Sequence, residues 1–246
     1  MAIQHKTITL IGMSGVGKTH LSLMLAAEGW FHYSCDYEIG TQFLHDEIEQ
    51  TLGEPNNMTP DDISQLSRYV GKLGQGRLDY SEFQRRQAQY YKAECQSVEN
   101  LKTIVNDANA NGFDYVVNDT TGSFCELGRD DIYDHVGENS LIVYIKANAD
   151  EEKAVLQRAQ DYPKPMFFPP NNLESWVEEY RMLMGVSSAE EFNADDFARW
   201  IFPKLFETRL PKYQALADKY GVTIESDKLR DVNSAEGFLK IALKSL

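Results

Sequence analysis

The sequence predicts a doubly wound α/β fold built on a parallel sheet. Short β-rich runs alternate with helical stretches along the chain, the pattern of βα units joined by right-handed crossovers. These runs are short and rich in β-branched and aromatic residues, as in buried strands of a parallel sheet. A glycine-rich segment also separates the first run from the first helix, at the carboxyl end of a strand, where α/β proteins bind ligands.

Five strands are expected, at Thr7–Ile11, Phe31–Ser34, residues 115–118, Leu141–Lys146 and residues 222–225, each bounded by Gly, Asn or Asp. The helices carry start signals. Thr59-Pro60-Asp61-Asp62 reads as an N-cap followed by proline at the first helical position and acids at the positive dipole end. Asp79-Tyr80-Ser81-Glu82 resembles a capping box opening a long helix that stops before Asn111-Gly112. Asn193-Ala194-Asp195-Asp196 opens another, expected to be interrupted at Pro203 and Pro211 and closed by Gly221. Asn233-Ser234-Ala235-Glu236 caps the last. Excess helix lies at about 40–110 and about 161–200, after the carboxyl ends of strands. It reads as ligand-covering insertions within one domain, 1–246. Pro163, Pro165, Pro169 and Pro170 make 161–172 a stiff, non-helical connection suited to a lid hinge.

Composition narrows the partners. The 246 residues include 24 Lys and Arg against 38 Asp and Glu, a net charge of −14, with 42% hydrophobic residues. That is enough for a core and excludes a disordered chain. A surface this acidic, with no basic stripe, argues against nucleic-acid binding. A small polyanion could bind only where backbone dipoles and a few cations concentrate positive potential. No apolar run reaches the ~18 residues of a membrane span, and no signal-peptide pattern precedes the first strand. Cys35, Cys95 and Cys125 lack metal or redox spacing, so a reduced, cytoplasmic protein is expected. The five histidines, His5, His20, His32, His45 and His135, share no spacing that suggests a metal or catalytic role. Tyr90-Tyr91 and Trp200-Ile201-Phe202 read as packing.

The most specific signal is Gly12-Met13-Ser14-Gly15-Val16-Gly17-Lys18-Thr19, which satisfies G-x-x-x-x-G-K-[ST] in full. Glycines let the backbone turn tightly and aim successive N–H groups at phosphate oxygens, and the following helix adds its dipole. Gly12, Ser14, Gly15, Val16, Gly17, Lys18, Thr19 and His20 form the expected nucleotide-binding set. Lys18 would reach the β- and γ-phosphates, and the Thr19 hydroxyl would ligate Mg²⁺. A guanine-reading N-K-x-D is absent, which argues against a GTPase, and the chain length suits a small phosphotransferase using ATP.

With this loop in place, the chain resembles shikimate kinase and related small-metabolite P-loop kinases. The likeness runs through residues 8–25 and Cys35-Asp36-Tyr37-Glu38-Ile39, then 115–123 and 141–166. It returns at Phe206-Glu207-Thr208-Arg209-Leu210-Pro211-Lys212-Tyr213 and the strand after it. The resemblance implies a five-stranded parallel sheet in the order 2-3-1-4-5, an acceptor-binding helical region and a mobile lid over ATP. It also implies site residues. Asp36 matches the acid that holds acceptor hydroxyls and can take the proton of the attacking one; it equally suits a helix N-cap. Arg85 or Arg86 stands where the family pairs an arginine with the acceptor carboxylate, and either also reads as a surface helical charge. Arg209, in Arg-x-Pro-x-Tyr, matches another acceptor-binding arginine, whose planar fork suits a carboxylate or phosphate. Lys164-Pro165-Met166 resembles the lid's Arg-Pro-Leu, with Arg158 the competing cation.

Two departures bear on the substrate. The family's two acids after strand 2 become Ser34 and Asp36, and its glycine triplet becomes Thr121-Gly122-Ser123, with Gly122 on the acceptor side. An acceptor other than shikimate is therefore expected. Asp119, ending the third strand, could supply the missing carboxylate, binding Mg²⁺ or serving as general base; otherwise it is a turn residue. Together these readings predict an ATP- and Mg²⁺-dependent kinase acting on a hydroxyl of a small, anionic metabolite. Lys18, Asp36, Asp119 and Lys164 would be catalytic. Asp36, Arg85, Arg86, Gly122 and Arg209 would bind acceptor, and Thr19 and Asp119 would serve the metal. The alternative is an ATP-binding regulatory or scaffold protein without acceptor chemistry. A nucleoside or nucleotide kinase is a third possibility.

Overall fold

The computed structural model describes residues 6–60 and 62–246. Its strands are β1 (Thr7–Ile11), β2 (Phe31–Ser34), β3 (Val116–Asp119), β4 (Leu141–Lys146) and β5 (Gly221–Glu225). They form one sheet in the order β2-β3-β1-β4-β5, parallel at every pairing. This is the expected doubly wound P-loop topology. The third strand runs one residue later than its apolar run suggests, because Asp119 pairs with Leu10 and Ser34 on its two neighbours.

Eleven α-helices are assigned among the described residues. They are α1 (Lys18–Ala27), α2 (Cys35–Glu38), α3 (His45–Leu52), α4 (Ser64–Val70), α5 (Tyr80–Glu99), α6 (Leu101–Ala110), α7 (Asp130–Asn139), α8 (Ala149–Asp161), α9 (Pro170–Met184), α10 (Ala194–Tyr220) and α11 (Ala235–Ser245). The chain divides into two compact units: Met1–Cys35, Cys95–Glu152 and Arg209–Leu246 form one, and Asp36–Glu94 and Lys153–Thr208 the other.

The first unit holds the whole sheet. One face buries Ile8, Leu10, Val117, Val143 and Ile145 against Leu21 and Leu25 of α1 and Phe238 and Ala242 of α11. The opposite face carries a buried polar ladder. Asn118 Nδ2 donates to Thr9 Oγ1 at 3.2 Å, Cys35 Sγ donates to Asn118 Oδ1 at 3.2 Å, and Thr9 and Ser140 hydroxyls bond at 2.7 Å. Each buried polar atom of the ladder is thereby partnered, which is the condition for tolerating it inside a core. At the junction of α10 and β5, a Cβ on Gly221 would stand 1.8 Å from the Ile142 carbonyl oxygen, so only glycine lets helix pass directly into strand there.

The second unit is helical and has two apolar clusters. One gathers Phe83, Phe168, Tyr180, Phe192, Phe197 and Ile201, the other Ile39, Ile48, Tyr69, Tyr90 and Phe167. Tyr90 and Ile201 are packing residues, as expected.

Helix ends follow the sequence in three places. Asp79 Oδ1 accepts the Glu82 N–H at 2.8 Å, Asn193 Oδ1 accepts the Asp195 and Asp196 N–H groups at 3.0 and 3.1 Å, and Ser234 Oγ accepts the Gly237 N–H at 3.2 Å. Elsewhere the structure corrects the expectation. Thr59 and Asp62 form an isolated bridge, and α4 starts later, at Ser64, whose N–H bonds Asp62 Oδ1 at 3.0 Å. Asp61 of that motif lies outside the described residues, as does His5. The long helix after Asp79 divides at Asn100 into α5 and α6, at a residue whose side chain competes for backbone partners.

Pro203 and Pro211 do not interrupt α10. An interior proline removes an N–H and costs ~3 kcal/mol or more. The carbonyl orphaned by Pro203 is that of Arg199, and Gln160 Nε2 supplies the missing donor at 2.9 Å while Arg199 Nε returns a bond to the Gln160 carbonyl at 2.8 Å. Beside Pro211, Lys212 is anchored on Glu126 at 2.7 Å and the Tyr213 hydroxyl on the Gly122 carbonyl at 2.6 Å. Gln160→Ala is expected to lower the unfolding free energy by about 1 kcal/mol, the worth of one such bond, measured by urea denaturation.

Candidate functional site

The glycine-rich loop lies where β1 delivers it, between Ile11 and α1. Three of its glycines have positive φ, +144° at Gly12, +88° at Gly15 and +100° at Gly17. A Cβ on Gly12 would stand 2.7 Å from the Ile145 carbonyl oxygen, so the loop's first turn presses against the end of β4. The N-terminus of α1 has no side-chain cap and no acidic residue in its first turn. Its first amides and its dipole are therefore left to an external anion. Lys18 is buried and donates to the carbonyls of Gly12 at 2.9 Å and Met13 at 3.3 Å, spanning the loop from end to start. Thr19 and His20 are exposed.

Next to the loop stand the carboxyl ends of β2 and β3. Ser34 and Asp119 are direct partners across the two strands. The carboxyl edge of this strand pair therefore carries one carboxylate, that of Asp119. Asp119 is 5% exposed, and its Oδ1 is buried without a hydrogen-bond partner. A carboxylate oxygen left so is costly unless something outside the chain satisfies it. No cluster of three His, Cys, Asp or Glu able to hold a metal occurs among the described residues. A magnesium ion that shares its coordination with nucleotide phosphates and water needs only one or two protein oxygens. The orphaned Oδ1 and the Thr19 hydroxyl fit that requirement.

The segment after β3 is fastened to the loop. Thr120 bonds the Leu10 carbonyl through its hydroxyl at 2.7 Å. A Cβ on Gly122 would come within 3.2 Å of the Ser14 nitrogen, tighter than ordinary contact. The Gly122 carbonyl accepts two bonds, from Arg209 Nη1 at 3.0 Å and the Tyr213 hydroxyl at 2.6 Å. Arg209 Nε also lies 3.6 Å from Glu126 Oε1, and Lys212 Nζ lies 2.7 Å from Glu126 Oε2. The Glu126 side chain is fully buried, so this carboxylate is an internal counter-charge to both cations. Burial pushes the neighbouring Cys125 thiol up to about 12.

A recess of about 240 Å³ adjoins the start of α1, lined by Val16, Gly17, His20, Met24, Glu151, Ser226, Leu229, Arg230 and Val232. Its polar wall is ordered by Glu151, which accepts bonds from the Ser226 hydroxyl and the Asn148 N–H and lies 3.4 Å from Arg230 Nη2. These bonds, the Ser226 one foremost, hold the Glu151 carboxyl below the usual carboxylate range. Mixed apolar and polar lining of this kind suits a planar heterocycle.

Lys18, Thr19, Asp119, Gly122 and Arg209 belong to the sheet-bearing unit, and Asp36, Arg85, Arg86 and Lys164 to the helical one. Within the helical unit, Asp36 Oδ1 accepts a long 3.5 Å bond from the Tyr90 hydroxyl. Arg85 grips Glu82 with two 2.7 Å bonds and reaches Gln89 at 2.6 Å. Arg86 bonds the same Glu82 at 2.6 Å and the Tyr69 carbonyl at 2.7 Å, and lies over the Tyr69 ring. Arg85 above all, with Arg86, holds the Glu82 carboxyl down at about 2. Lys164 is exposed on the non-helical stretch between α8 and α9. Gln87 braces that stretch, donating to the Met166 carbonyl at 3.3 Å and accepting from the Phe168 N–H at 2.9 Å.

Sequence reading missed Glu126, the Glu151–Ser226–Arg230 wall and His32, whose Nε2 lies 3.8 Å from Asp119 Oδ2. The first two have no motif. The third has none either, because its approach to Asp119 depends on how β2 registers against β3.

The Glu82 pair sets a pH dependence. A carboxyl with a depressed folded-state pKa contributes stability that is present above its unfolded value, ~4.3, and is lost as pH falls toward about 2. Glu82→Gln is therefore expected to be less stable than the wild type at neutral pH. The difference should close between pH 5 and 2, read by urea midpoints across that range.

No protein-family model matches the sequence, and no curated protein matches it. Among solved structures, the chain is similar to the shikimate kinase of Acinetobacter baumannii in complex with shikimate, 16% identical over 98% of this chain and 94% of that one, with a TM-score of 0.48. It is similar also to the shikimate kinase of Bacteroides thetaiotaomicron, at 15% identity over 97% and 94% of the two chains and a TM-score of 0.46. For that of Aquifex aeolicus the figures are 16%, 83% and 98%, with a TM-score of 0.31.

Proposed function

We propose that this protein is an ATP-dependent phosphotransferase acting on a hydroxyl of a small, anionic metabolite other than shikimate. The observation that carries the reading is the complete phosphate loop, seated at a strand-to-helix junction with an uncapped α1 N-terminus and the Lys18 ammonium across it. The recess beside Gly17 and His20 accepts the base. Lys18 and the loop amides offset phosphate charge, and His20 borders the base.

Thr19 and Asp119 hold Mg²⁺. When bound, such an ion would offset negative charge on the transferring phosphates. Asp36 orients the acceptor hydroxyl and takes its proton, and Lys164 supports the transferring group as a point charge. Gly122 and Arg209 belong to the acceptor side, with Arg85 or Arg86 pairing the acceptor's anionic group. Residues 1–246 act on this reading as one kinase-like domain with helical insertions, in the cytoplasm and without nucleic-acid partners. No helix among the described residues is long and apolar enough to cross a membrane.

One observation favours the second reading, an ATP-binding regulatory or scaffold protein. Both Arg85 and Arg86 are engaged by Glu82, so an acceptor carboxylate must compete with an existing ion pair. A screen of hydroxy acids, sugars and nucleosides for metabolite-dependent ADP release separates the readings. Release with a hydroxy acid or sugar supports the kinase, release with nucleosides points to a nucleoside kinase, and slow release indifferent to every metabolite supports the scaffold. Lys18→Ala is expected to lower turnover by roughly 10²–10³-fold or more, the scale of losing a key transition-state charge donor, with circular dichroism unchanged. Wild-type turnover in that variant would refute the site.

A further inference from the structure

His32 sits on β2 with Val117 of β3 as its partner, one strand period before the Ser34–Asp119 pair. Residues two apart on a strand share a face, so His32 and Asp119 are diagonal neighbours on the same side of the sheet. That side carries the apolar cluster of Ile8, Leu10, Val117, Leu21 and Leu25. A histidine placed there carries a desolvation cost that needs a return. The two side chains are 9% and 5% exposed, and His32 Nε2 stands 3.8 Å from Asp119 Oδ2. Neither His32 Nε2 nor Asp119 Oδ1 has a hydrogen-bond partner.

The separation exceeds a hydrogen bond by less than an ångström, about 3.8 against 2.9 Å. A small turn of the Asp119 carboxylate closes it. Once Oδ2 is occupied by an N–H from the side, Oδ1 is the atom that remains for a ligand. Outer-shell donors orient metal-binding carboxylates in this way.

We propose that His32 is the positioning residue of Asp119: its Nε2–H holds Oδ2 and so fixes Oδ1 for magnesium. The inference rests on the nucleotide reading above and adds to it a residue with no motif of its own.

The test is calorimetric titration of ATP into the full chain, in EDTA and in magnesium, comparing the wild type with His32→Phe, His32→Gln and Asp119→Asn. The wild type is expected to bind ATP more tightly with magnesium, and Asp119→Asn to lose that gain. His32→Phe keeps the shape and lacks the donor. It is expected to lose about 10-fold or more of the magnesium-dependent gain while its affinity in EDTA stays at the wild-type value. His32→Gln, whose amide N–H can stand in for Nε2–H, is expected to retain the gain. Should the Phe variant fail to fold, His32→Asn, polar but too short to reach, carries the same expectation.

A His32→Phe protein that keeps the full gain overturns the proposal, as does equal loss in EDTA, which marks a purely structural residue. A wild type that binds ATP but ignores magnesium removes the metal from Asp119 and overturns it too. A wild type that binds no ATP under either condition overturns the nucleotide reading itself, and this inference with it.

Discussion

The register of three parallel strands is the constraint on which the candidate site depends. Leu10, Asp119 and Ser34 are laterally aligned across β1, β3 and β2. Because strand period is two and pairing is parallel, this alignment decides which side chains meet at the carboxyl edge. It places the end of β1 that leads into the glycine-rich loop, a buried carboxylate and Ser34 side by side. A one-residue slip of β3 would turn Asp119 to the other face and bring Asn118 into its place. The polar ladder works against such a slip, since it would turn Asn118 toward the apolar face and break its bonds to Thr9 and Cys35.

The loop itself is held from two sides by close backbone approaches. Gly12 meets the end of β4 and Gly122 meets Ser14. At Gly12, where φ is positive and the approach is 2.7 Å, packing alone requires glycine, and at Gly122 the contact is tight. The Gly122 carbonyl then receives both Arg209 and Tyr213. Within the sheet-bearing unit, the C-terminal part of α10 is thereby bonded to the peptide group that packs against Ser14. Arg209 accordingly has a packing duty whatever it binds, and buried Glu126 balances its charge.

Much of the architecture was legible because it is written in local patterns. Strand runs, the phosphate loop and the caps at Asp79, Asn193 and Ser234 are all short-range signals, and each is where its chemistry says it should be. What escaped is long-range. Pro203 reads as a break because proline removes a donor, yet Gln160, distant in sequence, replaces it. The Thr59 cap gave way to a bridged turn, with Asp62 doing the capping instead. On the site side, sequence picked out Asp119 but not the histidine beside it, since their proximity exists only once β2 and β3 are paired. It named Arg85 and Arg86 without revealing that one glutamate engages both.

The three cysteines bring a practical benefit. All are free and buried, and burial pushes the Cys125 thiol upward, disfavouring its thiolate. Alkylating and oxidising reagents attack the thiolate, so modification must wait until the fold opens. The rate at which a maleimide consumes these sulfurs is thus a built-in clock for breathing of the native state, available without introducing any label.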